Sequence, residues 1–420
     1  MEELLLLISL VVFCFALFSS RFASSLVTPP MIFTAVGVLI SFAFSGLLER
    51  LQSREVLEIV AELTLVIVLF VDASRIRLPL LRRQYKIPAR LLGIGLPLTV
   101  LLGAVIAKIV FPEFSIWEAA LIAAILAPTD AALGQAVVSS PKVPLRIRQS
   151  LNVESGLNDG IVLPLVMLFA ALAAMTAEGG DQQNWLGYWI GQVTLGPLTG
   201  VVVGFGGGYL LQQSRKAGWI DENFQRLSGV ALAVIAWAGA LQIGGNGFIA
   251  AFVAGMCISC FTECIGPAMR DFGEAEGQLL SLTTFMLFGM TLVVPAVTDA
   301  SVMCFVYAIL SLTLIRMLPV AVSLLGSNLR WPSYWFLGWF GPRGLASLLF
   351  ALLVVGEFEI AVSDSIMSIA VITVLLSMIA HGLTAIPGAD LYSRQIQADQ
   401  QAAEHQPCES HRDKFQMSPE

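Results

Sequence analysis

The feature that most constrains this chain is a repeated length. Apolar runs of about 20 residues recur from Leu4 to Ile386, separated by short polar links. A run of that length matches the thickness of a bilayer. Lipid offers no partners to backbone amides, so each run must satisfy its own by folding as a helix. The 420 residues are 57% hydrophobic and only 13% charged, which a soluble domain does not need. The fold class is therefore an all-α polytopic membrane protein. About thirteen spans are placed at 3–20, 26–47, 56–73, 88–110, 116–138, 149–175, 187–211, 224–242, 246–262, 276–296, 300–325, 333–355 and 363–386. The chain opens acidic, Met1-Glu2-Glu3, where a secretory signal would be basic. Leu4 to Phe18 is accordingly read as a retained first helix.

An odd number of spans puts the termini on opposite sides. The alternating links then sort the basic residues unevenly. Eighteen of the 23 Lys and Arg lie on one side, including Arg75, Arg77, Arg82, Arg83, Lys86 and Arg90; the other side holds Arg50, Arg54 and Lys108. Basic residues are retained on the cytoplasmic face. This predicts an N-terminus outside, a C-terminus in the cytoplasm and residence in the cytoplasmic (plasma) membrane.

Two spans are interrupted. The fifth contains Pro128, which removes a backbone donor and clashes with the preceding turn. The twelfth contains Gly341-Pro342-Arg343-Gly344. These spans are seven apart, and an odd offset reverses direction across the membrane. Broken helices at matching places in opposed halves point to inverted repeats, here spans 1–6 and 8–13, with the broken helices crossing and span 7 as connector. Span 7 carries Gly196, Gly200, Gly204 and Gly208 at every fourth position. Such a stripe admits another helix closely, and static packing is favoured over a sliding surface.

The breaks fall among ionisable groups. Pro128-Thr129-Asp130 is followed by Glu154, Ser155, Asn158 and Asp159 on the sixth span. Ser155 and Asp159 stack on one helical face, and Glu154 and Asn158 on the next. Carboxylate, hydroxyl, amide and broken-backbone oxygens are hard ligands, suited to a hard cation. No His or Cys accompanies them, so a resident transition metal is not expected. A carboxylate at membrane depth normally faces a water-filled cavity and does something there. Arg343 keeps its charge, and its expected partner is Glu154 first and Asp130 second. Neutralised Glu154 would leave Asp159 to hold either a proton or a cation. The loaded carrier is then neutral both ways, which is sufficient for an exchanger. The competing reading makes these groups caps and ion pairs that hold the breaks together, and it weighs most for Asp130, Glu154 and Asn158.

Other features carry less. Cys257, Cys260 and Cys264 share a helical face but lack a partner histidine, so they read as packing residues. Asp72 is expected to pair with Arg75. Glu62 and Arg316 are expected to pair or to contact the core. Glu274 and Glu276 suit a helix N-terminus. His381 titrates in the range of a pH sensor but reads first as interfacial. No Walker-type loop is present, so no nucleotide, nucleic acid or cofactor is implied.

The run Pro128-Thr129-Asp130, the run Glu154-Ser155-Gly156-Leu157-Asn158-Asp159-Gly160, the Gly341–Gly344 motif and LFVDASRIRLPLLRR from Leu69 to Arg83 together resemble the NhaP-type monovalent cation:proton antiporters. The resemblance implies the thirteen-helix antiporter fold and a homodimer. It divides the chain into a dimerisation unit (1–87 and 224–296), an ion-transport core (88–175 and 300–386), a linker helix (187–211) and a short, disordered cytoplasmic tail (387–420). It implies that Asp159 carries the exchanged ions and that Thr129 and Ser155 are further Na+ ligands. Asp130 is placed among the ion- and proton-binding residues and, with Asn158, at the helix crossing. Glu154 would pair with Arg343. An Asn beside the carrier aspartate is the form associated with electroneutral exchange. The expected function is Na+ (or Li+) for H+ antiport by alternating access, serving pH homeostasis. K+/H+ antiport, a non-transporting cation sensor and a symporter or organic-anion carrier are the competing readings.

Overall fold

Every predicted run contains a helix, and no strand occurs among the described residues. The computed structural model describes residues 2–22, 25–43, 54–74, 85–130, 133–178, 185–261, 267–397 and 404. The first half comprises α1 (Glu2–Phe22), α2 (Pro29–Ala43), α3 (Arg54–Ser74), α4 (Lys86–Val110), α5 (Ile116–Ile125), α6 (Gln135–Val138), α7 (Leu145–Glu178) and α8 (Trp185–Lys216). The second comprises α9 (Glu222–Gln242), α10 (Gly247–Phe261), α11 (Pro267–Phe288, carried on through a π turn to Asp299), α12 (Val302–Leu312), α13 (Leu314–Ser323), α14 (Trp331–Trp339), α15 (Leu345–Glu357) and α16 (Ser363–Gln397). Among the described residues seven helical stretches are long and apolar enough to cross a membrane: α4, α7, α8, α9, α11, α16, and α12 with α13 taken together. The shorter apolar helices include α5 and α15, each one half of a broken span.

The helices pack in two groups. α3 lies against α9, α10 and α11, and α2 lies against α11. In the other group α5 packs on α4 and α7, α13 on α4 and α14, and α16 on α12 and α15. Where the groups meet, α7 and α15 touch α3, and α7 touches α10. Gly160, beside Asp159, allows the closest approach there: a side chain at that position would run into the Phe252 ring.

The glycine stripe of α8 packs on α10. A Cβ at Gly196, Gly200 or Gly204 would come within 2.8, 2.5 or 2.6 Å of the carbonyl oxygens of Asn246, Ala250 or Ala254. That is backbone-to-backbone packing. Both π turns, Leu91–Gly95 and Gly289–Val293, end two residues before a proline (Pro97 and Pro295). The ring displaces the carbonyl one turn earlier and loosens the helix locally.

Two expectations change. The last helix does not stop at 386, where the tail was expected to begin; it continues through Pro387 to Gln397. Ala385, Ala389, Tyr392 and Ile396 recur at helical spacing and are all buried, so burial outweighs one lost backbone bond. Glu404 is also buried; the disorder expected for 405–420 lies outside the described residues. The eleventh span has a break that was not anticipated. Thr313, at φ −109° and ψ −93°, separates α12 from α13 and lies three residues before Arg316.

Candidate functional site

α5 starts with a capping box, Ser115 and Glu118, and ends at Ile125 because Pro128 cannot continue its ladder. Residues 126–130 and 133–134 lie outside regular helix. α14 ends at Trp339, and α15 begins after Gly344. These two irregular stretches meet, and each completes the other's hydrogen bonding. Asp130 N–H donates to Pro342 O at 2.8 Å. Leu345 N–H donates to Asp130 Oδ2 at 2.9 Å, capping α15 from the opposite break. Leu133 N–H approaches Asp130 Oδ1 at 3.4 Å. Gly344 is required at this contact, since any Cβ would fall on the Asp130 carboxylate. Arg343 Nη1 donates to the carbonyls of Ala127 (2.6 Å) and Pro128 (3.1 Å). These are oxygens that an unbroken α5 would have paired.

The sixth span, α7, presents its polar residues to this crossing. Asn158 Nδ2 donates to Thr129 Oγ1 at 2.7 Å, and Thr129 Oγ1 lies 3.0 Å from Ser155 Oγ. Thr129 thus joins the two helices through one hydroxyl. Asp159 follows directly, 8% exposed, and its Oδ1 is buried without a hydrogen-bond partner. Asn158 Oδ1 and Glu154 Oε2 are in the same condition. The charges acting on Asp159 are Asp72, from the end of α3, and Asp130. Among the described residues no ion pair reaches its carboxylate, and the preceding residue, Asn158, belongs to the hydroxyl–amide network. Such a carboxylate is satisfied by a proton or by a small hard cation.

The expected Glu154–Arg343 ion pair is not what forms. Glu154 Oε1 is 2.6 Å from Arg316 Nη1, with both side chains almost fully buried. Arg343 acts on Glu154 only electrostatically and spends its hydrogen bonds on the carbonyls of the break. The physical reason is local. Arg343 lies at the crossing, where the breaks leave backbone carbonyls to be satisfied, while Arg316 lies just beyond the Thr313 break. Close approach there requires a glycine, because a Cβ at Gly341 would meet Arg316 Nε at 2.6 Å.

Thr129, Ser155 and Asn158 are therefore brought together, and Asp159 follows Asn158 in the chain. Asp130 sits at the crossing with both carboxylate oxygens directed at backbone amides. Arg316 has Glu154 as its ion-pair partner, and Glu62 lines a pocket of about 100 Å3 with Glu357, Phe248 and Leu349 between α3, α10 and α15. Asp72 was assigned to Arg75, which lies outside the described residues, yet its charge acts on Asp159. The signal was available: an acid inside the apolar stretch of α3. Cys264 and the side chains of Glu274 and Glu276 also lie outside the described residues.

Comparison with known proteins agrees with this geometry. Residues 6–389 match the sequence family described as sodium/hydrogen exchanger, transmembrane. Among curated relatives, the K(+)/H(+) antiporter NhaP2 of Shewanella baltica is 23% identical over 363 residues, covering 86% of this chain and 62% of that protein. The Na(+)/H(+) antiporter of Schizosaccharomyces pombe is 26% identical over 321 residues, covering 68% of this chain and 67% of that protein. The chain thus spans less than two thirds of the length of the Shewanella protein. The solved structure of the sodium proton antiporter MjNhaP1 from Methanocaldococcus jannaschii at pH 8 superposes with a TM-score of 0.75, covering 95% of this chain and 98% of that one at 18% identity. The crossed broken helices and the match over nearly the whole length place this chain in the sodium/hydrogen exchanger family of transmembrane proteins.

Proposed function

We propose that this chain exchanges an alkali cation for protons across the membrane, with Asp159 holding one or the other. The carrying observation is the buried Asp159 Oδ1, which has no hydrogen-bond partner and stands beside the Thr129, Ser155 and Asn158 network. Thr129 and Ser155 supply hydroxyl ligands for Na+. Asn158 and Asp130 hold the crossing, and the Glu154–Arg316 pair supports α7 behind it. One charge is exchanged for one charge, because Asn158 adds none, so transport is electroneutral. The names of the relatives favour either Na+ or K+ as the exchanged ion, and the hard oxygen ligands suit both; Na+ is our first reading because the matching family is described as a sodium/hydrogen exchanger.

Two packing groups that touch through α3, α7, α10 and α15 suit alternating access: α4–α7 with α12–α16 moving against a unit built on α2, α3 and α9–α11. The latter unit would form the homodimer, with the N-terminus outside and residence in the plasma membrane. The test uses purified protein in liposomes carrying a pH-sensitive dye. A cation gradient should drive proton movement that is unchanged when the membrane potential is clamped. Proton movement that follows the potential would refute electroneutrality, and the order of response to Li+, Na+ and K+ assigns the ion. No response to any of them would leave the sensor reading.

A further inference from the structure

The last helix carries three polar residues on one face, Ser377, His381 and Thr384, and all three bond around the second break. Arg343 N–H, which has no helical partner, donates to Ser377 Oγ at 2.7 Å. His381 Nε2 is 2.8 Å from Trp339 O. Trp339 Nε1–H donates to Thr384 Oγ1 at 2.9 Å, and its ring lies over the His381 ring with centroids 4.9 Å apart. His381 Nδ1 lies 3.2 Å from Ser377 Oγ and 2.8 Å from Ser377 O. His381 is 2% exposed, and Ser377 is fully buried.

Each His381 ring nitrogen has a carbonyl oxygen at 2.8 Å, Trp339 O at Nε2 and Ser377 O at Nδ1. Arg343 N–H donates to Ser377 Oγ on one side of the break, and His381 Nε2 meets Trp339 O on the other. The circuit leaves the chain at residue 343, passes through α16 and returns at residue 339. It spans the break. The same Arg343 holds the carbonyls of Ala127 and Pro128, and Pro342 O holds Asp130 N–H. The positions of Thr129 and its ligands are therefore set, two steps away, by α16.

We infer that Ser377 and His381 are positioning residues that pin the second break and through it fix the cation site on the first. This rests on the exchange reading for its functional consequence but not for its structural test. The charged groups facing the ring are Arg343 and Arg316, both cations.

Two readouts decide it. The first is amide hydrogen exchange of the purified protein, which needs no transport. Ser377→Ala and His381→Ala each remove a buried hydrogen bond, so exchange should quicken by about threefold to tenfold in 340–345 and also in 126–130. Quickening confined to α16, or to 340–345 alone, would overturn the inference. The second is the apparent KM for Li+, Na+ and K+ in proteoliposomes. The alanine variants should raise KM by about fivefold for the preferred ion and narrow the ratios among the three. His381→Gln, which keeps an amide donor toward Trp339 O, should restore much of the native ratio. Ratios unchanged from the native protein, with only the amount of active protein reduced, would show that the residues merely stabilise the fold. If the native protein moved no cation, the exchange reading would fail, and the hydrogen-exchange arm would still decide the coupling of the two breaks.

Discussion

The Glu154–Arg316 pair makes the sharpest prediction about energetics. The charged atoms are 2.6 Å apart, and both side chains are almost wholly buried. At an effective dielectric of about 20 the attraction is about 6 kcal/mol, most of which offsets the desolvation of the two ions. The pair is therefore near neutral as a whole but expensive to break. Glu154→Gln leaves the Arg316 cation buried with no counter-charge at hydrogen-bond distance and should cost about 3–5 kcal/mol. Adding Arg316→Met removes that charge as well and should bring stability back to within about 1 kcal/mol of the native protein. Adding Arg343→Met instead should not rescue, because Arg343 is held by the Ala127 and Pro128 carbonyls. The assay is thermal unfolding of the purified protein in lipid–detergent micelles, with the three variants compared against the native protein. The single variant should unfold about 3–6 °C lower. Rescue by Arg343→Met and not by Arg316→Met would refute this pairing.

Three further outcomes follow from the same geometry. Gly344→Ala should abolish exchange at near-native expression, because a methyl group there displaces the Asp130 carboxylate from Leu345 N–H; native transport rates in that variant would remove the crossing from the account. Thr129→Val keeps the volume but deletes the hydroxyl between Asn158 and Ser155, so the apparent KM for the cation should rise by about tenfold while expression holds. Glu404→Ala should lower stability by about 1 kcal/mol in the same micelle assay, since Glu404 Oε1 accepts from Arg330 N–H and Ser333 Oγ–H at the start of α14 and acts as its cap.

What the sequence reveals and what it hides divide along one physical line. Local signals survive in one dimension. Prolines mark both breaks, hydropathy marks the spans, and four-residue spacing puts Ser155 with Asp159 and Glu154 with Asn158. Hence the helical architecture and the meeting of Thr129, Asp130, Ser155 and Asn158 at the crossing could be read directly. Pairings between spans could not. Arg316 and Arg343 are both cations within apolar runs, and only the bend at Thr313 and the carbonyls at the first break decide which one meets Glu154. Asp72 is close in sequence to Arg75, which hid its action on Asp159 across the helix interface. Residues 387–397 look polar by composition, but Ala389, Tyr392 and Ile396 give them a buried face, and the helix continues. His381 was legible as a titratable group, but its circuit through Ser377 to residues 339 and 343 depends on how α16 lies against the second break.

The central claim is that one carboxylate, Asp159, carries both ions, and the most direct test is cation–proton exchange by Asp159→Asn in proteoliposomes at matched protein content. The substitution preserves size and keeps one oxygen but removes the charge for which the two ions compete. The account predicts that exchange of every alkali cation disappears while the variant folds and inserts as the native protein does. Exchange that persists in Asp159→Asn would contradict it and move the carrier to another acid of the crossing.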